Sequence, residues 1–290
     1  MSLRDGAVVL GGARTAMGRL QGSLSSLSAA DLGGFAIAGA LERSGVQPTD
    51  IDYVVLGQVL QAGSGQNAAR QAAIAGGLGM AIPALTINKV CLSGIDAIAL
   101  ADQMIRAGEF DAVVAGGMES MSQAPHLLIG SREGKKYGDW TMIDALAFDG
   151  LTCAFDECAM GEATERYNDR YALTRQEQDA VAEASHRRAA AAQSVGILAE
   201  EITPVRIPQR KGDDIVVTDD EGIRAETTAE SLGRLRPAFA PEGTITAGNA
   251  SQISDGAAAL VVTSRAAAER LERTPMAFLG SHGVVAGPDP

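Results

Sequence analysis

The residue best placed to do chemistry is Cys91, in the segment 88–94 (NKVCLSG) at the predicted junction between a strand and a helix. At the start of a helix, unpaired backbone N–H groups and the helix dipole favour the thiolate form of a cysteine. A thiolate can attack a thioester carbonyl and carry the acyl group as a covalent intermediate. Gly94 would permit close approach of backbone or substrate. Position alone leaves a second interpretation open, a buried structural cysteine, which is the more common role of a free cysteine.

A second candidate segment, residues 115–122 (AGGMESMS), follows an apolar strand. Ligands of open α/β sheets usually bind at the carboxyl ends of the strands, so the polar residues after Gly117 could line a site. The alternative is a tight turn in which Met118 fills space in the core. Taken alone, this segment favours the turn.

The chain has few other residues that could form a metal or redox site. Its cysteines and histidines are Cys91, Cys153, Cys158, His126, His186 and His282. Three cysteines at irregular spacing are too few for a disulfide framework in 290 residues. No cluster has the spacing of a zinc site, so we expect no metal. A reducing, cytoplasmic compartment is the simplest interpretation.

Composition narrows the functional class. Hydrophobic residues make up 46% and charged residues 21% of the chain, as in globular proteins. The formal net charge of −12 argues against general binding to nucleic acid or anionic membranes. No apolar run reaches the roughly 20 residues that a transmembrane helix needs. The N-terminus has no pattern of a secretory signal.

The first half of the sequence alternates apolar segments with helices that are rich in small residues. The strand-like segments are residues 7–12, 52–60, 84–89 and 111–119, and the helices are residues 28–45, 66–79 and 93–108. On the last helix, Ile95, Ile98 and Ile105 are expected to share one face. Such alternation predicts an α/β sheet covered by helices.

From about residue 120 the sequence becomes richer in charge and proline, which predicts an inserted subdomain. Within it, a capping box from Thr174 to Glu177 begins a long helix that ends at Gly196. The α/β pattern then resumes in three segments. They are residues 244–250, residues 256–271 and a strand-like segment at residues 276–287.

Several long motifs, in a consistent order, resemble those of the thiolase family. The segment 88–94 resembles the family's nucleophile motif, and residues 116–122 resemble its Gly-Gly-Met-Glu-Ser-Met-Ser signature. A third signature is matched by residues 246–251 with 254–259, and shorter matches occur at residues 208–213 and 235–239. The resemblance covers essentially the whole chain.

The resemblance implies an α/β thiolase fold of stacked α/β/α/β/α layers, here its N-terminal half plus an inserted loop domain. Residues 1–119 would form the N-terminal domain and residues 120–245 the loop domain that binds coenzyme A. Residues 246–271 would return to the N-terminal domain, and residues 272–290 would begin a C-terminal domain. A homodimer or homotetramer is implied as well.

The implied chemistry is reversible Claisen condensation of acyl-CoA thioesters, most simply two acetyl-CoA giving acetoacetyl-CoA and CoA, or thiolysis of longer 3-ketoacyl-CoA. Cys91 would carry the acyl group, and no cofactor is needed beyond the coenzyme A thioesters. The resemblance assigns other residues to substrate. They are Ser251 with its neighbour Ala250 near the pantetheine arm, Arg224 and Ser231 near the nucleotide, and Met160 in the pocket. The guanidinium of Arg224 also suits phosphate geometry, and the basic pair Arg210 and Lys211 would suit an anionic ligand. For Arg224 and for this pair, a solvated position on the surface is the more common role.

The sequence departs from the family pattern in two places. Ala159 stands where many members have a histidine before Met-Gly, which leaves the acyl-chain preference open, and Cys158 beside it is interpreted as a core or pocket residue. The Asn-Glu-Ala-Phe, Gly-His-Pro and Cys-Gly-Gly segments, which hold the family's activating histidine and second cysteine, do not occur. We therefore expect a chain that lacks most of the C-terminal domain and does not condense acyl-CoA alone. The alternative is a thiolase-like protein that binds CoA or lipid without turnover.

Overall fold

The computed structural model describes residues 6–287, which form two compact units. Within the described residues, the first unit contains residues 6–123, Ala199–Glu221 and Ser254–Val284. The second contains Ala124–Leu198, Gly222–Ile253 and residues 285–287.

The elements alternate in the first part of the chain as the sequence pattern predicts. The strands are β1 (Val8–Arg14), β2 (Gly18–Arg19), β3 (Tyr53–Gly57), β4 (Ala84–Ile87), β5 (Ala112–Ser120), β6 (His126–Leu127), β7 (Ile143–Asp144), β8 (Val205–Ile207), β9 (Ile215–Val217), β10 (Ser254–Thr263) and β11 (Ala277–Phe278). The helices are α1 (Ala29–Ser44), α2 (Ala68–Ala75), α3 (Ser93–Ala107), α4 (Met160–Arg170), α5 (Arg175–Ser194), α6 (Ile197–Glu201), α7 (Ala229–Gly233) and α8 (Arg265–Arg270).

The first unit is built on a mixed sheet. Among the described residues it has seven strands, in the order β11-β1-β10-β5-β3-β4, with β2 beside β10. Strands β5, β3 and β4 are parallel, whereas β10 is antiparallel to β5 and to β1. Val54, Val55, Val113 and Val114 are fully buried, as expected for strands covered on both faces. The predicted α/β class is confirmed.

Helix α3 packs on this sheet through small residues. Ala97, Ala101 and Ile105 are fully buried against Val55 and Val113 and recur every fourth residue, which keeps them on one helical face. The predicted face of isoleucines was wrong at one position, because Ile95 is 70% exposed. Alanines let the helix axis approach the sheet closely, and this approach fixes the start of the helix.

Three other segments can be compared with the sequence pattern. The strand predicted at residues 111–119 is present as β5, which continues through Gly116 and Gly117 to Ser120, so the alternative of a turn was wrong, and Met118 is buried. Residues 244–250, where the α/β pattern was expected to resume, contain turns and an isolated bridge at Thr246. In residues 276–287 only Ala277–Phe278 is a strand, so His282 does not lie in one.

The predicted loop domain, residues 120–245, overlaps the second unit without coinciding with it. Residues 199–221 belong to the first unit, where Arg14 binds Glu201 and Asp220 at 2.7 Å each. The Glu221 carboxylate accepts hydrogen bonds from the Arg19 and Ser23 amides. Strands β8 and β9 pair with each other within this segment. The division into named domains stays a prediction.

The long helix of the second unit begins and ends as predicted. The Thr174 hydroxyl accepts from the Glu177 amide at 3.3 Å, and the Glu177 carboxylate accepts from the Thr174 amide at 2.9 Å. Helix α5 ends at Ser194, and Gly196 follows with φ of +82°. The capping box is therefore confirmed.

Candidate functional site

Cys91 lies in the short connection between β4, which ends at Ile87, and α3, which begins at Ser93. Its side chain is exposed and makes no disulfide. Leu92 is the N-cap residue of α3, and its apolar side chain accepts no hydrogen bond from the backbone amides of the first helical turn. An exposed thiol at the start of a helix on a sheet edge is accessible to a reagent or a thioester.

The turn that carries Cys91 is strained. Val90 has φ of +51°, which is a true outlier for a β-branched residue. Such a conformation costs about 1–3 kcal/mol and persists only where the surroundings fix it. Asn88 Oδ1 accepts from the Val90 amide at 2.9 Å, and Ser93 Oγ donates to the Val90 carbonyl at 2.6 Å. These two polar side chains hold the turn from both sides.

Glycines let the start of α3 come close to the sheet. A Cβ on Gly57 would lie 2.5 Å from Ser93 Cβ, and one on Gly117 would lie 3.4 Å from Gly94 Cα. A Cβ on Gly116 would lie 2.0 Å from the Ala258 carbonyl oxygen of β10, which leaves no room for a side chain. Gly57 thus lets the start of α3 approach the sheet, and Gly116 lets β5 lie close to β10, whereas Gly117 has room for a methyl group.

Glu119, which sequence reasoning left without a role, reaches the loop after β3. Its carboxylate accepts from the Val59 amide at 2.8 Å and from the Leu60 amide at 3.3 Å. Burial raises the pKa of Glu119 above its ordinary value and the charge of Asp255 raises it further, while the two amides lower it. The signal that could have identified Glu119 is an acidic residue at the end of a buried, glycine-containing strand.

The other predicted site residues all belong to the second unit. Met160 is the first residue of α4 and is 49% exposed. Ser231 lies in α7, where its amide donates to Thr228 Oγ1 at 3.1 Å. Arg224 is exposed, and its amide donates to His186 Nδ1 at 3.3 Å. Ala250 donates its amide to the Thr246 carbonyl at 3.0 Å.

Within the second unit, close contacts bring the neighbouring segments of these residues together. A Cβ on Gly248 would lie 2.5 Å from both Leu232 and Leu235, which places α7 against the turn that leads to Ser251. A Cβ on Gly222 would lie 2.3 Å from the Gln252 side chain. The segments of Arg224, Ser231 and Ser251 therefore converge, and Ser251 itself is exposed.

Buried polar residues hold the segment that precedes Ser251. Glu165 is 8% exposed and accepts from the Ile245 amide at 2.7 Å and the Thr244 amide at 2.9 Å. Burial alone would raise the pKa of Glu165, but these hydrogen bonds outweigh it and lower the pKa below its ordinary value. Asn249 donates to Asp179 at 2.9 Å and accepts from the Thr246 amide at 2.7 Å. Sequence reasoning missed Glu165 and Asp179, because nothing in their local pattern separates them from solvated helix residues.

The remaining cysteines lie in the second unit and have structural surroundings. Cys158 is 8% exposed, and its sulfur lies 3.6 Å from an Arg166 nitrogen. Ala159, at the position where the resemblance leads one to expect a histidine in many members, occupies the N-cap of α4 and makes no side-chain hydrogen bond. The exposed pair Arg210 and Lys211 lies in the first unit, between β8 and β9. Among the described residues no group of three or more His, Cys, Asp or Glu could hold a metal ion.

Two further features bear on partners. Across residues 6–287, no helix combines the length and apolar character that spanning a membrane requires. A cavity of about 370 Å³ in the second unit is lined by Ile129, Gly134, Lys135, Trp140, Thr141 and Ile143. None of these is a predicted site residue, so the cavity does not mark the predicted chemistry.

The chain is similar to known proteins over nearly its whole length. A family model described as the thiolase N-terminal domain matches residues 7–266. A probable acetyl-CoA acetyltransferase of Mycolicibacterium smegmatis is 60% identical over 282 residues, which cover 97% of this chain and 73% of that protein. An acetyl-CoA acetyltransferase of Thiocystis violacea is 50% identical over 288 residues, covering 99% of this chain and 73% of that protein.

A solved structure shows the same fold. The crystal structure of the Bacillus anthracis acetyl-CoA acetyltransferase matches with a TM-score of 0.92 and 35% sequence identity. The match covers 96% of this chain and 70% of that one. The family model covers residues 7–266, and the relatives and the solved structure match 96% or more of the chain. This chain therefore belongs to the thiolase family.

Proposed function

We propose that this chain is a thiolase-class acyltransferase in which Cys91 is the nucleophile. The Cys91 thiolate attacks the carbonyl of acetyl-CoA, a new S–C bond forms, the thioester S–C bond breaks, and CoA leaves as its thiolate. In the second step that the family resemblance implies, a base removes an α-proton from another acetyl-CoA, and the resulting carbanion attacks the acetyl carbonyl. A C–C bond forms while the S–C bond to the cysteine breaks, which gives acetoacetyl-CoA and a cysteine thiolate that can take up the proton. No residue of these 290 is assigned as that base. The same steps in reverse are thiolysis of a 3-ketoacyl-CoA.

The observation that supports this proposal most is the strained Val90 turn. Two side chains and a glycine-lined helix start hold an exposed thiol at the carboxyl edge of the parallel strands. Strained backbone of this kind concentrates at functional sites, and ligands of α/β sheets bind at this edge. The names of the relatives, acetyl-CoA acetyltransferases, support acetyl-CoA as the acyl donor.

Binding of coenzyme A is proposed for Arg224, Ser231, Ala250, Ser251 and Met160. Their support is the family resemblance, together with the convergence of three of their segments in the second unit. An exposed guanidinium can pair with a phosphate in two hydrogen bonds. The substrates are coenzyme A thioesters, and the proposed chemistry uses no resident cofactor.

Self-association and a cytoplasmic location complete the proposal. Among the described residues strand β4 is an edge of the sheet, and Leu92 and Ile95, which follow it in the sequence, are 55% and 70% exposed. Unpaired strand edges with apolar neighbours favour pairing with another chain. A homodimer or homotetramer would cover them. The cytoplasmic location rests only on cysteine content and stays a prediction.

The test is acetylation of the 290-residue chain with radiolabelled acetyl-CoA, followed by peptide mass spectrometry. We expect one acetyl group on Cys91 and none on Cys153 or Cys158, and Cys91→Ala should remove the label. Cys153→Ala is the matched control and should keep it. We expect no acetoacetyl-CoA, because the family segments that move the proton do not occur in this sequence. Label on another cysteine would overturn the assignment, and a CoA complex without any label would favour a binding protein.

A further inference from the structure

The position of the Cys91 turn depends on a side chain to which the proposed chemistry gives no role, that of Asn88. Its Oδ1 accepts from the Val90 amide at 2.9 Å, and its Nδ2 donates to the Val59 carbonyl at 3.3 Å. Asn88 therefore connects the strained residue beside Cys91 to the loop after the neighbouring strand β3. A single planar amide makes both bonds, so the two segments cannot move independently.

The other end of this connection is fixed by Glu119. Its carboxylate accepts from the amides of Val59 and Leu60, and the residue itself is part of β5. The Gln58 amide also donates to the Ile87 carbonyl at 3.0 Å, which joins the same loop to the end of β4. The order of contacts thus runs from the β5 end through residues 59–60 to Asn88 and the Cys91 turn.

On the far side of Cys91 the turn is fastened to its own helix. Ser93 Oγ accepts from the Lys89 amide at 2.7 Å, and the Lys89 ammonium lies 2.8 Å from an Asp96 oxygen. These contacts hold the turn to α3 but not to the sheet edge. Among the described side chains that hydrogen-bond to residues 89–91, that of Asn88 also hydrogen-bonds to the loop after β3.

We propose that Asn88 is a positioning residue that sets the direction of the Cys91 thiol, and that Glu119 anchors Asn88 through residues 59–60. This inference rests on the proposed acyl transfer at Cys91. Neither side chain is assigned contact with substrate. The physical reason is that acyl transfer needs the attacking atom within a narrow distance and angle of the carbonyl, and a displacement of about 1 Å costs up to roughly 100-fold in rate.

The test compares single-turnover acetylation of wild type and Asn88→Ala by acetyl-CoA. The maximal acetylation rate constant should fall roughly 10- to 100-fold, while the acetyl-CoA concentration at half saturation stays within about twofold. A loss of folding alone would reduce the fraction that reacts rather than the rate constant. Alkylation of the exposed thiol by iodoacetamide should change far less than acetylation, because a small reagent can approach from many directions.

Asn67→Ala is the matched control. Asn67 lies in the connection before α2, has φ of +48°, and makes three side-chain hydrogen bonds, to Arg70, Thr86 and Ala84. Its loss should lower stability at least as much as that of Asn88 but should leave the acetylation rate constant of the folded fraction within about twofold. Asn88→Asp keeps the acceptor for the Val90 amide and should restore part of the rate lost in Asn88→Ala.

A second pair of variants tests the anchor. Glu119→Gln should reduce the acetylation rate constant less than Asn88→Ala does, and the double variant should be no slower than Asn88→Ala alone. Asp52→Asn is its control, because Asp52 likewise accepts from two backbone amides, those of Asp111 and Ala112, at the opposite end of the strands. It should leave the rate constant unchanged.

The outcomes separate this inference from the proposed function. If wild type is not acetylated at Cys91, the proposed function fails, and the positioning role fails with it. If wild type is acetylated and Asn88→Ala matches it or the Asn67→Ala control, only the positioning role is overturned. An equal fall in acetylation and alkylation would also overturn it, because that result would show lost reactivity of the thiol rather than lost direction.

Discussion

Replacing Glu165 by glutamine should loosen the segment that leads to Ser251. The Glu165 carboxylate accepts from the Thr244 amide, the Thr244 hydroxyl and the Ile245 amide, at distances of 2.9, 2.9 and 2.7 Å. Glutamine has almost the same shape but one oxygen and no charge. With its oxygen toward the Thr244 and Ile245 amides, its NH₂ group would face the Thr244 hydroxyl. That hydroxyl already accepts from Asn168 and Gln178, so it would lose the acceptor for its own hydrogen.

The expected magnitude follows from the kind of bond that is lost. Hydrogen bonds to a charged group contribute about 1.5–3 kcal/mol, against about 0.5–1.5 kcal/mol for neutral ones. With one oxygen kept, Glu165→Gln should lower the stability of this segment by about 1.5–3 kcal/mol. At 1.4 kcal/mol per tenfold, this corresponds to a roughly 10- to 150-fold larger equilibrium constant for local opening.

Hydrogen exchange measured by mass spectrometry on peptides that cover residues 244–251 is the direct assay. Fluorescence of Trp140, the single tryptophan and a residue of the second unit, follows urea unfolding of that unit. Glu162→Gln is the matched control, because Glu162 lies on the same helix but is exposed and 3.6 Å from Arg166. An exposed ion pair of this kind contributes at most about 1 kcal/mol.

The dependence on pH gives the sharper test. The pKa of Glu165 is lowered in the folded chain, so its stabilisation is fully present above the unfolded value of about 4.3. It is lost as the pH falls through the folded pKa. The difference between wild type and Glu165→Gln should therefore shrink below about pH 4. A difference under about 0.5 kcal/mol at pH 7, or one that does not change with pH, would refute the reasoning.

Two further predictions concern the first unit. Gly116→Ala should lower the free energy of unfolding by about 1–3 kcal/mol or more, because the new Cβ would meet the Ala258 backbone. In the adjacent Gly117→Ala variant the new Cβ has ordinary contact distances, so the free energy of unfolding should change little. Equal urea midpoints for the two variants would contradict this. Light scattering at micromolar concentration should give at least twice the 29.8 kDa of one chain, and replacing Ile95 by lysine should reduce that mass. A monomeric wild type would exclude self-association of this chain.

Much of the fold could be predicted from the sequence, since its signals are local. Alternating apolar strands and small-residue helices specify the α/β class, and the Thr174–Glu177 capping box marks the start of α5 to the residue. The long signatures around Cys91 and Gly116 identify the family without any coordinates, because several independent motifs in order rarely coincide. These features depend on residues that are close together in the chain.

Tertiary structure decided what depends on residues that are far apart in the chain. Glu119 and Asn88 look like ordinary polar residues until β5, β3 and β4 lie side by side and their ends meet. Residues 199–221 read as part of the insertion, yet ion pairs to Arg14 place them with the first unit. The sequence by itself determined that Cys91 is the candidate nucleophile. Only the folded chain showed how its turn is held, because the Val90 strain is balanced by hydrogen bonds and packing that no local pattern encodes.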